Sequence, residues 1–235
     1  MFDARYTTSD HERREDDAYA NAKYDLTMRW LGAPRTPGAR LLNIGCGGGH
    51  FNTIAAAAGY TVEACEPDPV AYALATARAP TGVVIHLGGI FDAPLTPGAD
   101  VIVMHDVLEH IDDDAKAVQA LHALVAASGR VILSVPAMQS LFGLHDELLG
   151  HYRRYGRKSL RVVVESAFEI NKIRSFGFTL IPVTLLLSRV LRQPYPADAA
   201  SGKTLLGRGF DVVCRIESRV ASPVGTSLIC AMTPR

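Results

Sequence analysis

An alternation of short apolar strands and helices between residues 40 and 135 constrains the fold of this chain more than any other feature. The strand-like runs and helix-like stretches follow one another in turn, which predicts βαβ units and a parallel sheet covered by helices on both faces. The predicted strands are 40–44, 61–65, 83–86, 101–104 and 130–135, and the predicted helices are 50–58, 69–77 and 114–126. The fold class is therefore α/β, of the doubly wound kind.

Further predicted elements flank this alternating region on both sides. Before it, an apolar stripe at the helical spacing of four predicts a helix that Ser9 or Asp10 caps, followed by a Gly/Pro-rich linker at 32–38. The stripe consists of Ala18, Ala22, Leu26 and Trp30. After the region, the pattern predicts a basic helix at 157–167, a strand at 169–175, an apolar helix at 180–191, a mobile loop at 193–203, an amphipathic helix at 206–220 and a closing strand at 225–232.

These elements predict one core with additions and not two separate domains. Residues 1–38 are expected to form an N-terminal helix that folds over a ligand as a lid, together with its linker. Residues 39–235 are expected to form a single ligand-binding domain with a helical insertion at about 179–222. A chain of 235 residues hides roughly 72% of its unfolded surface on folding, which suits a single core.

The charge balance and the cysteines exclude several classes of protein. The 24 Lys and Arg residues equal the 24 Asp and Glu residues, so the chain lacks the positive field that non-specific nucleic-acid binding requires. The four cysteines show no CxxC spacing, which argues against a zinc site or a disulfide scaffold and favours a reduced, cytoplasmic protein. The first residues run into charged positions without an apolar core, so we expect no signal peptide.

The longest apolar run covers 176–187, contains Pro182, and is shorter than the about 18 residues that a membrane span needs. We therefore expect no transmembrane segment. The overlapping apolar helix at 180–191 has four interpretations: core packing, a roof over the substrate, a dimer face or a shallow contact with a membrane surface. A homodimer and a peripheral membrane contact thus stay open as partners.

A glycine-rich loop follows the first strand and indicates a ligand site. It reads Gly45-Cys46-Gly47-Gly48-Gly49, and backbone without Cβ atoms lets a ligand approach the carboxyl end of a strand. The dinucleotide fingerprint GxGxxG fails because His50 or Asn52 stands where a small residue is needed, and no GxxxxGK[ST] motif occurs. Glu66 follows the second strand, where a carboxylate can accept hydrogen bonds from a ribose diol. Together, loop and acid predict a nucleoside site.

These residues and several later segments resemble the class I S-adenosylmethionine-dependent methyltransferases. The matching segments are 43–49, 62–68 and 106–111, with further likeness at 134–137, 145–147, 151–155 and 223–228. The later segments look like a bacterial subgroup of small-molecule or envelope-associated methyltransferases. The resemblance implies a Rossmann-like sheet of seven strands with the last strand antiparallel, and S-adenosyl-L-methionine as the cofactor.

The resemblance also implies which residues contact the cofactor. Gly45 and Gly47 would lie under the methionine moiety, and Glu66 would bind the ribose hydroxyls. The sequence departs from the family where Asn43 and Gly89 replace residues that are usually acidic, which leaves the backbone of Ile90 to contact the adenine amine. The full predicted set is Asn43, Gly45, Cys46, Gly47, Glu66, Pro67, Gly89, Ile90 and His105.

Polar side chains after the fourth and fifth strands are the candidates for catalysis. Methyl transfer is an in-line displacement, and an acceptor that carries a proton needs a base to remove it. Histidine titrates in the useful range, so His145 and His151 are candidate general bases, with Asp106 as a third catalytic candidate. The alternative for each histidine is a helix cap or a hydrogen bond to a backbone carbonyl.

A metal-ligand pattern overlaps these candidates. The set Asp106, Glu109, His110 and His151 resembles the divalent-metal site of small-RNA 2′-O-methyltransferases and ubiquinone-pathway O-methyltransferases, with Asp106 in place of the first Glu. There the metal would hold two substrate oxygens and lower a hydroxyl pKa. The alternative is that Asp106 simply caps a helix.

The sequence thus predicts methyl transfer from S-adenosylmethionine to an oxygen or nitrogen of a small-molecule acceptor, with a histidine base or a metal-assisted hydroxyl. Two alternatives stay open: a non-methyl or cyclising use of the same cofactor, and a non-catalytic nucleoside-binding partner. Arg153 and Arg154 either clamp an acidic group of the acceptor or anchor their loop by salt bridges.

Overall fold

A seven-stranded sheet forms the centre of the computed structural model, which describes residues 17–193 and 205–235. The strand order is β3-β2-β1-β4-β5-β7-β6. The strands are β1 (Arg40–Ile44), β2 (Thr61–Glu66), β3 (Val84–Leu87), β4 (Ala99–His105), β5 (Val125–Pro136), β6 (Phe168–Phe176) and β7 (Ser227–Pro234). Strands β1 to β5 run parallel, whereas β7 lies between β5 and β6 and is antiparallel to both. The predicted doubly wound sheet with an antiparallel last strand is confirmed.

The described helices lie before β1 or between successive strands along the chain. They are α1 (Ala18–Leu31), α2 (His50–Ala57), α3 (Pro69–Arg78), α4 (Asp114–Leu124), α5 (Leu144–Leu149), α6 (Arg157–Val164), α7 (Ile181–Thr184) and α8 (Leu205–Glu217). Short 3₁₀ turns occupy Leu108–His110 and Gln139–Leu141, and α7 continues as a π-helical turn over Leu185–Val190. Aspartate caps start α1 and α3, because the Asp17 and Asp68 carboxylates each accept hydrogen bonds from two backbone amides of the first turn.

Apolar side chains cover both faces of the sheet, because successive residues of a strand point to opposite sides. In β1, Leu41 belongs to one buried cluster and Leu42 to the other, and both are fully buried. The two layers leave the carboxyl ends of the parallel strands as the edge where loops can hold a ligand. The predicted element types between 40 and 135 are confirmed except at 125–126, which are predicted as helix and belong to β5, and the observed β4 and β5 extend beyond their predicted ends.

The described residues before β1 and after β6 cover only part of what the sequence predicts there. The predicted caps Ser9 and Asp10 lie outside the described residues, and within them α1 begins at Ala18 with Asp17 as its cap. The predicted loop at 193–203 lies, apart from Gln193, outside the described residues as well. Helices α7 and α8 both fall between β6 and β7, where the sequence predicts a helical insertion.

The apolar segment after β6 faces solvent with most of its large side chains. Their exposed fractions range from 43% for Leu185 to 65% for Val190, while Thr184 and Ser188 face inward and are buried. The core-packing interpretation of this segment is therefore wrong for those apolar residues. Among the described residues, none of the helices combines the length and apolarity that a membrane crossing requires.

Candidate functional site

The glycine loop connects β1 to α2 and is fixed by backbone hydrogen bonds to the end of β2. The amides of Gly45 and Cys46 both donate to the carbonyl oxygen of Cys65, at 2.9 and 3.0 Å. Gly45 has φ +68°, and a Cβ there would lie 2.5 Å from Cγ2 of Val107. Gly49 has φ +82° and packs against the backbone of Ala75. The glycines are therefore required by close packing, as well as by the positive φ angles.

Glu66 ends β2 directly beside this loop. Its Oε2 accepts a hydrogen bond from the amide of Gly47 at 2.7 Å, and its Oε1 accepts one from the amide of Asp68 at 3.0 Å. The side chain is 6% exposed. Because an ionised carboxylate has about four acceptor positions, Glu66 can hold the loop and also accept ligand hydroxyls.

The other predicted cofactor residues surround the loop with different degrees of access. The amide group of Asn43 donates to Asn52 at 2.7 Å inside the core, and burial raises the pKa of the Cys46 thiol to about 12. Pro67 is exposed next to Glu66, and the chain after β3 is tied to Glu66 by a hydrogen bond from the amide of Gly88 at 3.0 Å. That bond brings the following residues, Gly89 and the buried Ile90, toward the loop.

His105 is covered by α1. Its Nε2 lies 2.8 Å from the hydroxyl of Thr27. The centroid of its ring lies 5.1 Å from that of Tyr24 and 5.0 Å from that of Phe51. The imidazole is thus directed at α1, and its role in cofactor binding remains a prediction.

Helix α1 also supplies a buried cation to the end of β4. Lys23 forms an ion pair with Oδ2 of Asp106, while Oδ1 of Asp106 accepts a hydrogen bond from Ser134 at 3.0 Å. Burial opposes the charged lysine, but the Asp106 carboxylate outweighs it, and the pKa of Lys23 is raised above its ordinary value. Asp106 itself has φ +52° and keeps 26% of its side chain exposed. Val107, the residue after Asp106, packs against Gly45, so the ion pair lies beside the glycine loop.

A second polar cluster follows β4 and contains three of the four predicted metal ligands. Ligand atoms of Glu109, His110 and His151 all lie within 4.8 Å of one another, a spacing that a divalent cation could bridge. Glu109 is fully buried, and its Oε1 lies 4.0 Å from Nε2 of His151. Asp106 is not in this cluster, because its carboxylate is held by Lys23 and Ser134.

His151 is held from its other side by a buried ion pair. Its Nδ1 lies 2.8 Å from Oδ1 of Asp146, and the same oxygen accepts a hydrogen bond from Nε of Arg154 at 2.7 Å. The amide of Gly143 donates to Oδ2 of Asp146 at 3.0 Å. Burial alone would raise the pKa of Asp146, but the hydrogen bonds from His151 and Arg154 lower it to about 2.

The remaining candidates lie in less reactive surroundings. Burial lowers the pKa of His145 to about 4, which makes it a weak base. Arg153 pairs with Asp114 at 2.9 Å and with Asp112 at 3.2 Å. Both arginines of the 153–154 pair therefore anchor the loop, and the geometry favours that interpretation over a clamp for the acceptor.

Lys23 and Asp146 are site residues that the sequence analysis did not single out. A polar spacing of four, Tyr19, Lys23 and Thr27, marks the face of α1 that turns inward, and this spacing was available in the sequence. Asp146 lies five residues before His151, on a different element, and no local pattern indicates that they pair.

The chain is similar in sequence or in fold to known methyltransferases. The profile of a methyltransferase-domain family matches residues 11–181. An uncharacterized methyltransferase of Mycobacterium leprae is 28% identical over 162 residues, covering 68% of this chain and 59% of that protein. The chain thus matches about three fifths of the length of that relative.

Two further proteins show the range of the likeness. A ubiquinone biosynthesis O-methyltransferase of Pseudomonas aeruginosa is 32% identical over 102 residues, which cover 41% of this chain and 44% of that protein. The N-methyltransferase NodS of Bradyrhizobium japonicum, solved with S-adenosyl-L-homocysteine, has a TM-score of 0.62 at 15% identity, over 94% of this chain and 90% of that one.

Proposed function

The chain belongs to the class I S-adenosylmethionine-dependent methyltransferases, and from that premise we propose that it methylates an oxygen of a small-molecule acceptor. The observation that carries the choice of oxygen is the buried pair formed by Glu109, in the turn after β4, and His151, after α5. A hydroxyl must lose its proton as it attacks, whereas a neutral amine attacks through its lone pair and loses its proton afterwards. A basic site at this edge is therefore most useful to a hydroxyl acceptor.

The loop and the Lys23–Asp106 pair support binding of the cofactor. S-Adenosylmethionine supplies an activated methyl group on a sulfonium. Glu66 would accept hydrogen bonds from the ribose hydroxyls, since its carboxylate already lies against the loop at 2.7 Å. The amino-acid end of the cofactor carries one ammonium and one carboxylate, and the Asp106 carboxylate and Lys23 ammonium are complementary to these two charges.

The acceptor side would then position the hydroxyl and receive its proton. The acceptor oxygen bonds to the methyl carbon while the carbon–sulfur bond breaks, and the hydroxyl proton passes to Nε2 of His151. Glu109, 4.0 Å from that nitrogen, stabilises the protonated ring that results. His151 is favoured over His145 as the base because burial lowers the pKa of His145 to about 4.

A small molecule is a better acceptor for this chain than a nucleic acid. The basic run after α5 consists of Arg153, Arg154, Arg157, Lys158 and Arg161, and three of these five, Arg153, Arg154 and Arg161, pair with a carboxylate of the chain. Paired arginines offer little charge to a phosphate backbone. The zero formal net charge points the same way.

A panel of acceptors tests this proposal. Phenols and alcohols would be incubated with the enzyme and S-adenosylmethionine beside amines of the same carbon skeleton, and product masses would be measured. We expect hydroxyl compounds to gain one CH₂ unit, with His151→Ala reducing turnover and leaving cofactor binding intact. Turnover of the amines alone would overturn the choice of oxygen.

A metal-assisted form of the same reaction is the second candidate. Glu109, His110 and His151 would hold a divalent cation through one carboxylate oxygen and two ring nitrogens, and a cation there would lower the pKa of a coordinated hydroxyl. The observation in its favour is the 4.8 Å limit on the ligand-atom separations.

Titration calorimetry with Mn²⁺ or Zn²⁺ on the EDTA-treated protein separates the two forms. Metal-assisted transfer predicts binding that Glu109→Gln abolishes, and turnover that EDTA removes. Full activity in EDTA together with no heat of binding would leave His151 as the base.

A further inference from the structure

We propose that Asp146 is a positioning residue that holds His151 with its proton on Nδ1 and its lone pair on Nε2. This inference rests on the proposed function, in which Nε2 receives the proton of the acceptor. It assigns a role to a residue that makes no contact with the reacting atoms. Its basis is the asymmetry between the two nitrogens of the His151 ring.

The Nδ1 side of the ring meets an acceptor that cannot donate. The Asp146 carboxylate is fully buried, lies 2.8 Å from Nδ1, and also receives Nε of Arg154 at 2.7 Å and the amide of Gly143 at 3.0 Å. The Arg154 guanidinium and the Gly143 amide both donate to this carboxylate independently of His151, and pairing with a guanidinium keeps it ionised. An ionised carboxylate only accepts hydrogen bonds, so Nδ1 must carry a proton.

The Nε2 side of the ring faces the reactive cluster. Nε2 lies 4.0 Å from Oε1 of Glu109, and the ring of His110 stands edge-on to that of His151 with centroids 4.6 Å apart. When Nδ1 holds the proton of a neutral ring, Nε2 is left as the acceptor. The same nitrogen could serve as a base or as a metal ligand, so the inference holds for both candidate forms of the reaction.

The backbone around the ring fixes its position as well. The amide of His151 donates to the carbonyl oxygen of Asp146 at 2.9 Å, and the amide of Tyr152 donates to the carbonyl oxygen of Glu109 at 2.8 Å. The backbone of this loop is thus bonded to α5 at His151 and to the turn after β4 at Tyr152. Arg154, whose side chain is 5% exposed, pairs with the Asp146 carboxylate and so fixes the group that faces Nδ1 of His151.

Nitrogen NMR of histidine-labelled protein tests the inference. The chain has eight histidines, and the signals of His151 are assigned by their loss in His151→Gln. In EDTA-treated wild-type protein we expect a protonated Nδ1 and an unprotonated Nε2 on His151. A neutral ring with its proton on Nε2 would overturn the inference.

The test variant must not leave a buried charge without its ion-pair partner. Asp146→Ala leaves Arg154 unpaired in the interior, so the test variant is the double substitution Asp146→Ala with Arg154→Met, which removes both charges together. We expect it to shift the proton to Nε2 and to lower kcat about 10- to 100-fold while cofactor affinity by calorimetry stays unchanged. Asp112→Ala, at an exposed carboxylate that pairs with Arg153, is the matched control and should change neither measurement.

The readouts keep the inference separate from the proposed function. If no acceptor is methylated but the proton lies on Nδ1 and moves in the double variant, the proposed function fails and the positioning role stands. If methylation proceeds and the double variant keeps both the wild-type proton position and the wild-type kcat, the positioning role is wrong.

Discussion

The proposed cofactor side and the proposed acceptor side of the ligand-binding edge are built from different chemical groups. On the cofactor side, the backbone of the glycine loop and one glutamate meet at 2.7 Å, and the positive φ angles of Gly45 and Gly49 make that contact possible. On the acceptor side, buried charged side chains of α5 and of the segment directly after it hold one another. The glycine loop, held by backbone hydrogen bonds, should keep its fold when a nearby charge changes, whereas the ion pairs of Asp146 lose much of their stabilising effect when one partner is removed.

Removal of Asp146 should therefore reduce stability more than any other single change at the ligand-binding edge. Asp146→Ala leaves the Arg154 guanidinium and the His151 ring without their buried acceptor. We expect the free energy of unfolding to fall by roughly 3–5 kcal/mol, measured by urea denaturation. Asp112→Ala, on the exposed side chain, should cost less than about 1 kcal/mol. Equal losses in the two variants would show that the Asp146 pair is not the stabilising feature of the loop.

A change of charge on the cofactor side should weaken binding more than it weakens folding. Glu66→Gln keeps the shape of the side chain but removes the charge that accepts the Gly47 amide and that, in the proposed binding mode, also accepts the ribose hydroxyls. Hydrogen bonds to charged groups contribute about 1.5–3 kcal/mol, so the Kd for S-adenosylhomocysteine should rise about 10- to 100-fold by calorimetry. Glu63→Gln, on the same strand but paired with Arg40, is the control and should leave the Kd unchanged.

Lys23 tests whether α1 belongs to the cofactor side. Lys23→Met should weaken cofactor binding about tenfold, a change of about 1.4 kcal/mol, because it removes the cation proposed to face the carboxylate of the methionine end. Arg29→Met, on the same helix but bonded to the carbonyl oxygen of Ser218, should leave binding unchanged. Identical affinities for wild type and Lys23→Met would remove α1 from the site.

The same ion pair has a pH signature. The pKa of Lys23 is raised above its ordinary 10.5 in the folded protein, so the pair stabilises the fold fully below that pH and progressively less as the pH rises toward the folded value. Urea midpoints measured at pH 9 and again above pH 10.5 should thus fall more for wild type than for Lys23→Met. Parallel profiles for the two proteins would contradict the buried pair.

The smallest effect is expected at the exposed apolar segment. Leu186 is 52% exposed, and Leu186→Ala should change the free energy of unfolding by no more than about 0.5 kcal/mol. Leu133→Ala in the sheet, where the side chain is fully buried, should cost about 2–5 kcal/mol in the same assay. A large loss at Leu186 would mean that this segment packs against the core after all.

The contrast between the two sides also explains what could be predicted from the sequence. The strands β1 and β2, the glycine loop and Glu66 are signalled by local composition and spacing, and the structure brings them together as expected. The Lys23–Asp106 and Asp146–His151 pairs depend on how separate elements pack, and neither forms a local pattern. The structure likewise brings together only three of the four predicted metal ligands. Asp106 is kept out of the cluster because Lys23, 83 residues away along the chain, pairs with it.

The apolar segment after β6 illustrates a second limit of pattern reading. A run of Leu and Val indicates burial by composition, but the inward face of this segment is formed by Thr184 and Ser188. Ser188 packs against Gly143 and accepts a hydrogen bond from the amide of His145 at 3.2 Å. The contacts of Ser188 with Gly143 and His145 therefore determine which face of the segment turns inward. The periodicity of the sequence alone does not show this.

Transfer of a deuterated methyl group tests the central claim most directly. Wild-type enzyme and His151→Ala would be given S-adenosylmethionine labelled in its methyl group and a hydroxylated acceptor, and the product would be identified by mass and NMR. We predict a labelled methyl ether from wild type and a product rate at least about tenfold lower from His151→Ala, with unchanged cofactor affinity. A label on nitrogen or carbon, or an equal rate from both proteins, would contradict this account.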